Sequence, residues 1–298
     1  MKDIFPFYSI GHFINEPTNP TAFEVLQFEK MSEPDVADVH KHTFYEIIWT
    51  ESGNSTQTID YKEYAVAPQS LFFISPNQVH QFEAWRPLKG GSILFTEDFF
   101  LLNRNDTDRL FELSCLDNFY GNPCIHLNKK EFVDVKSTID FIVRENARRD
   151  RNLRILQSLL HVLLEQAQRL ADRATKTPVS KKYLVLYKRF KKFVEAHFAE
   201  NQTAAFYAEK LFITPHHLNL VCKAVTGKTA SGVLRARSIL EAKRFLTFSE
   251  MTVSEIAARL NYFDSSYFAK LFKAETGQSP LAFREEMSEK YRTKSTQS

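Results

Sequence analysis

Glycine is scarce in this chain, at 8 of 298 residues, and no G-x-G-x-x-G occurs, so a phosphate-cradling loop and a dinucleotide fingerprint are both excluded. Cysteine is scarcer. Cys115, Cys124 and Cys222 form neither a C-x-x-C pair nor an even set, which argues against a disulfide framework and against a cysteine-based zinc site. No apolar run approaches the ~20 residues needed to span a bilayer. Met1–Ser9 lacks the basic start and apolar run of an export leader. A cytoplasmic protein with no membrane partner is the expectation. Nor is there a Ser/His/Asp arrangement or a paired-carboxylate signature, so no catalytic residues are assigned and the chain is expected not to be an enzyme.

What is present is an ordinary globular composition, 43% hydrophobic and 25% charged, with 27 phenylalanines. A length of 298 residues suits two domains. The net charge of +3 conceals a division at Pro178: 20 Lys and Arg against 11 Asp and Glu from there onward, and 19 against 25 before it. That is +9 beside −6. Phosphate neutralisation by Lys and Arg supplies much of the affinity for nucleic acid, so the C-terminal part alone is a candidate for a polyanion partner, with a solvated basic surface as the competing reading.

Residues 1–128 read as short strands broken by Gly, Pro, Asn and Ser: Phe23–Phe28, Phe44–Thr50, Ser55–Ile59, Leu71–Ile74, His80–Ala84 and Ser92–Phe95. Such a pattern predicts an antiparallel sandwich or small barrel. Over 129–173 the period becomes helical, first through Phe132, Val135, Ile139 and Ile142. A broader stripe follows through Leu156, Leu159, Leu160, Leu163, Leu164, Ala167 and Leu170. A helical pair packed on the barrel is expected. The near-heptad spacing within the second stripe makes Leu156, Leu159, Leu163 and Leu170 a candidate homodimer interface, intramolecular core being the alternative. The segment 174–180, small and polar around Pro178, reads as a linker to a helical domain at 181–298.

That helical domain contains a repeat. A shift of 50 residues lays Ala208 on Ala258, Thr214 on Asp264 and the run Lys223–Gly227 on Lys273–Gly277. Each copy, about 204–227 and 253–277, shows a short helix, a turn, an N-capping Thr214 or Asp264, and a second helix stopped at Gly227 or Gly277. This is the helix-turn-helix plan, whose second helix enters the DNA major groove. Between the copies, Ala230–Leu246 reads as one connecting helix that fixes the spacing of the two reading helices.

Several stretches carry a family likeness. They are Ile213–Leu218 with Lys223, Thr226 and Gly227; the connector Arg237–Leu246; and above all Val253–Ala257, Tyr262–Lys273, Thr276–Pro280 and Phe283–Arg284. With these residues the chain resembles the AraC/XylS family of transcription regulators. The resemblance is strong over roughly the last 100 residues, a span suited to two helix-turn-helix units and a connector. It implies a non-enzymatic regulator, an activator by family tendency, with double-stranded DNA and RNA polymerase as partners. By position, His216, His217, Asn219 and Leu220 in the first unit and Ser265, Ser266 and Lys270 in the second are the expected base readers. Lys223, Arg237, Lys273 and Arg284 are the expected phosphate contacts.

In the N-terminal part, His40-Lys41-His42, then Glu46, Gly53, Pro76 and His80, is similar to the two-part cupin motif. Residues two apart on a strand share a face, so His40 and His42 point the same way, where Glu46 and His80 can converge. A three-nitrogen, one-oxygen metal set is one reading of that convergence. The one adopted is a buried network that anchors a small-molecule effector, formed by His40, His42, Glu46, Trp49 and His80, with no metal and no cofactor. The resulting expectation is an α+β multidomain protein: a cupin-like antiparallel barrel with a helical pair, then an all-α domain with two helix-turn-helix units. A metal-dependent cupin enzyme fused to a DNA-binding tail is the alternative.

Overall fold

The structure is a computed structural model that describes residues 6–32, 36, 39–102, 113–116, 123–174 and 179–295. The expected linker at 174–180 lies largely outside the described residues. The chain forms two compact units, Asp3–Pro178 and Val179–Ser298.

In the first unit, β1 (Phe7–Tyr8) and helix α1 (Ile10–Phe13) precede β2 (Phe23–Gln27), β3 (Lys41–His42), β4 (Tyr45–Ser52), β5 (Ser55–Ile59), β6 (Lys62–Val66), β7 (Ser70–Ile74), β8 (His80–Phe82), β9 (Lys89–Phe95), helix α2 (Glu97–Leu101) and β10 (Cys124–His126). A five-stranded sheet has the order β10-β7-β4-β9-β2, and a three-stranded sheet the order β6-β5-β8; all of their pairings are antiparallel. A short parallel pair joins β1 to β3.

Strict alternation along β4 separates two cores. Ile47 and Trp49 face one way, with Leu71, Phe73, Ile93 and Phe95, onto helices α3 (Lys129–Asn146) and α4 (Leu153–Ala174). Ile48 faces the other way, with Phe72, Ile74, Ile59 and Val66 between the sheets. The strand Lys62–Val66, which the sequence reading does not anticipate, belongs to a two-residue hairpin. Its central residues Asp60 and Tyr61 have φ of 45° and 72°, a geometry whose usual signal is Asn-Gly. Without glycine the turn leaves no recognisable mark.

Helix α3 begins in a capping box: Asn128 accepts from the Glu131 amide while the Glu131 carboxylate accepts from the Asn128 amide. Helix α4 lays its leucine stripe on the sheet, and this corrects the expected dimer surface. Leu156 and Leu163 are fully buried in the unit's own core, and Leu159 and Leu170 pack against it. Flanking that stripe the helix exposes Ile155 and Val162, seven residues apart and both nearly half exposed.

The second unit contains α5 (Lys181–His197), α6 (Ala204–Lys210), α7 (Pro215–Thr226), α8 (Ala230–Phe248), α9 (Val253–Arg259), α10 (Ser265–Thr276) and α11 (Pro280–Ser295). Helix α8 is enclosed on most sides: Val233, Arg237, Ser238, Ile239, Ala242, Arg244, Phe245 and Leu246 are all buried. It is the central strut of the unit rather than an amphipathic surface helix.

Candidate nucleic-acid interface and effector site

The two helix-turn-helix units are built by local chemistry. Thr214 Oγ1 accepts from the His217 amide, and Asp264 Oδ1 accepts from those of Ser266 and Tyr267, so each second helix starts on a side-chain cap. Each ends on a glycine in the left-handed region, Gly227 at φ 73° and Gly277 at φ 86°.

The turns differ. Ala208 O accepts from the Ile213 amide in the first unit, and Ala257 O from the Tyr262 amide in the second. The first helices therefore correspond at a shift of 49 residues and the second helices at 50. This corrects the pairing of Ala208 with Ala258: the buried counterpart is Ala257, whereas Ala258 is exposed. The additional residue is Phe263, which is fully exposed. The left-handed position of the turn is Asn261 (φ 58°) in the second unit and Phe212 (φ 56°), also almost fully exposed, in the first.

The exposed face repeats faithfully. His216, Leu220 and Lys223 on α7 are all exposed, as are Ser266, Lys270 and Lys273 on α10. At offsets of 0, 4 and 7 each trio forms one helical stripe, and the two stripes superimpose at the 50-residue shift. Ser265 is half-buried at the start of α10. His217 turns inward, its ring 5.7 Å from that of Tyr183 on α5 in an edge-on contact. Asn219 is half-buried, and its Oδ1 accepts from the Ala230 amide at 2.9 Å, so it caps α8 from within α7. Tyr267, exposed and equivalent to His217, was missed by the sequence reading; the 50-residue shift is the signal that could have found it.

Two expected phosphate contacts are overturned. Arg237 is 4% exposed; its Nε donates to both Glu195 oxygens at 3.0 and 2.9 Å, its Nη1 pairs with Glu241 at 2.9 Å, and its guanidinium lies 3.7 Å over the Phe198 ring. Glu241 also pairs with Arg244, and although burial opposes its ionisation, the two guanidiniums hold its carboxyl below the ordinary glutamate value. Arg284 donates to the backbone carbonyls of Leu246 and Met251 and so ties α11 to the end of α8. Both arginines are braces. The second half is joined to α8 as well, through Tyr262 donating to Ser238 Oγ at 3.1 Å and through the Arg235–Glu275 ion pair at 3.2 Å. Cys222, enclosed in the core of α7, has its thiol pushed up to about 12 by burial.

In the N-terminal unit, His40, His42, Glu46 and His80 are brought together and all are buried. His42 Nε2 stands 3.6 Å, and His80 Nε2 3.9 Å, from Glu46 Oε2. The His40 and His80 rings are 4.4 Å apart, and their backbones exchange hydrogen bonds at 3.1 and 3.0 Å. His42 stacks on Phe44 at 3.9 Å. Burial, and then the neighbouring His40, push the His42 imidazole down to about 3, and the same causes in that order, with His42 added, lower His80 well below the ordinary value. Both rings are neutral near pH 7. Trp49 does not join them. It lies three positions along β4 from Glu46, an odd offset, so it faces the helix-side core, where its Nε1 donates to Glu51 at 3.3 Å.

Comparison with known proteins agrees with this division. The family described as "AraC-like ligand binding domain" matches residues 28–177, half of the chain, and that described as "Helix-turn-helix domain" matches 207–286. Similar proteins include the HTH-type transcriptional activator RhaR of Cronobacter sakazakii, 25% identical over 278 residues, which cover 92% of this chain and 94% of that protein. The activator RhaS of Salmonella schwarzengrund is 25% identical over 250 residues, 83% and 87% of the respective chains. Among solved structures, ToxT from Vibrio cholerae aligns with 89% of this chain and 98% of its own at 14% identity and a TM-score of 0.39.

Proposed function

Because the chain belongs to the AraC family of transcription regulators, we propose that it is a homodimeric, cytoplasmic transcription activator that reads one extended DNA site with both α7 and α10 and answers to a small molecule held by its N-terminal unit. The observation that carries this reading is the pair of superimposable exposed stripes, His216-Leu220-Lys223 and Ser266-Lys270-Lys273, on capped helices braced by one buried strut. In a helix-turn-helix the early exposed residues of the second helix meet base edges. Lys270 suits guanine and Leu220 a thymine methyl, while Lys223 and Lys273, in the last turns, suit phosphates. Asn219, with its oxygen occupied, keeps only its amide donor for a base.

Activation, and RNA polymerase as the partner it requires, are inferred from the named activators among the relatives. Dimerisation is moved from the leucine stripe to the exposed flank of α4, where Ile155 and Val162 stand. No described helix is long and apolar enough to cross a membrane, which is consistent with the cytoplasm. The enzyme alternative is less well supported, because the similar full-length proteins are transcriptional activators.

The test is selection of genomic fragments by the purified protein, followed by footprinting. Protection of two successive major-groove segments on one face of the duplex, about 34 Å apart, is expected. Protection of a single segment would remove one unit from the reading.

A further inference from the structure

We propose that the turns of the two helix-turn-helix units carry apolar readers, Phe212 and Phe263, which act with Leu220 and Tyr267 to recognise thymine through its C5 methyl group. The DNA site of this protein then presents thymine methyls in each of two major-groove segments. This inference deepens the DNA-reading role above and rests on it.

Among the described residues, Phe263 at 102% and Phe212 at 96% are the most exposed large hydrophobic side chains, and the next, Tyr267 and Leu281, reach only 58%. Both lie in the turn of their unit, one residue before the Asp264 cap and two before the Thr214 cap. Neither ring has a structural use there. A hydrophobic residue just before a cap commonly packs on the fourth residue of its helix. Phe263 stays in water, while Phe268, that fourth residue, is buried. Phe212 takes φ 56°, a region costly for a bulky side chain, and recovers almost none of that cost through burial. Strain kept at an exposed position, and a bare phenylalanine at each of the two turns, point to a partner.

The position of the turns and the composition of the helices they lead into identify that partner as DNA. The start of the second helix is the end that meets base edges, and each turn opens directly onto it. Hydrogen-bond readout commonly relies on arginine for guanine and on asparagine or glutamine for adenine. Neither Pro215–Thr226 nor Ser265–Thr276 contains arginine or glutamine, and the asparagine present, Asn219, has its oxygen engaged in capping α8. What the two faces offer instead is apolar, with Leu220 and Tyr267 exposed beside Lys223, Lys270 and Lys273. Apolar side chains set among cations suit a surface where methyl groups lie between phosphates. Thymine is the base that presents a methyl in the major groove.

The experiment measures the affinity of the full chain for a selected genomic fragment resynthesised with deoxyuridine in place of thymidine, which removes the methyl and keeps the base pair. Thymines are expected in both protected segments. Their replacement should weaken binding roughly fourfold per contacted methyl, the effect of burying one methyl-sized apolar group, and deoxyuridine outside the segments should change nothing. Phe263→Ala should weaken binding to the thymine duplex and abolish the distinction between thymine and uracil in one segment while leaving it in the other; Phe263→Leu should keep it in both. Phe212→Gly should act in the same way on the second segment and yet raise the unfolding temperature, a combination that a merely structural residue does not produce. Equal affinity for the thymine and uracil duplexes, or full discrimination surviving in Phe263→Ala, overturns the methyl reading. Unchanged DNA affinity with lost transcription activation in Phe263→Ala also overturns it and assigns the ring to a protein partner. Absence of salt-sensitive binding to either duplex is a different failure, that of the regulator reading itself, and this inference falls with it.

Discussion

At the scale of single residues, two cations of similar sequence appearance have opposite roles. Lys270 is exposed at the middle of the α10 stripe, whereas Arg237 is enclosed with Glu195 and Glu241. Lys270→Ala is therefore expected to cost ~1–3 kcal/mol on a selected DNA site and much less on random sequence, as competition binding would measure. Arg237→Ala removes one partner from a buried ion pair and strands the others, so it should cost on the order of 3 kcal/mol in folding stability. Denaturant titration would detect that loss, and the salt dependence of residual DNA binding should be unaltered. A reduced salt slope with normal stability would restore Arg237 to the phosphate contacts. Sequence gave no means of separating the two, because both sit at polar positions of helical patterns. Whether a polar position faces water or another helix is set by what packs there.

Cysteine chemistry also belongs to this scale. Burial pushes the Cys124 and Cys222 thiols up to about 12, and Cys115 is buried too. The thiolate is the reactive form, so burial leaves the Cys124 and Cys222 thiols far less reactive at pH 8 than a free cysteine. Alkylation of the native protein at pH 8 should label none of these thiols, with all three reacting after denaturation. Rapid native labelling of Cys222 would mean that α7 opens readily.

At the scale of elements, the turn of the first unit carries a penalty that the second avoids. Phe212 adopts φ 56° and Asn261 φ 58°, but only Asn is tolerated well in that region. The Phe212 side chain is almost wholly exposed, so its removal forfeits little burial. Phe212→Gly should stabilise the compact unit Val179–Ser298 by about 1 kcal/mol in thermal or denaturant unfolding; a loss of stability would show that the ring has a contact in solution. The helix starts and stops were legible beforehand, since Thr214, Asp264, Gly227 and Gly277 act through groups a few residues away. The one-residue difference between the turns was not, because a uniform shift of 50 matches the second helices and hides the 49 of the first.

At the scale of the whole molecule, the two compact units imply separable functions. The fragment spanning Val179–Ser298 should fold alone and bind duplex DNA with an affinity that falls steeply with salt, a slope of roughly −5 in log–log form if about six phosphates are contacted. The fragment ending at Pro178 should not bind DNA, and sedimentation should find it dimeric at micromolar concentration. An Ile155→Asp, Val162→Asp variant, altered at two exposed positions, should be monomeric without losing its fold. Dimers persisting in that variant would place the contact elsewhere.

The amino-acid order alone determined whatever rests on local or periodic chemistry: the strand-rich first part, the duplicated helical hairpins with their caps, the charge contrast between the halves, and the convergence of His40, His42, Glu46 and His80. Only the tertiary structure decided which face of a helix or strand met which neighbour. It buried Leu156 and Leu163, sent Trp49 to the opposite core from Glu46, and turned Arg237 and Arg284 from surface cations into braces of α8. The reason is that periodicity shows a residue's side of its own element, while burial and pairing depend on segments brought there from far along the chain.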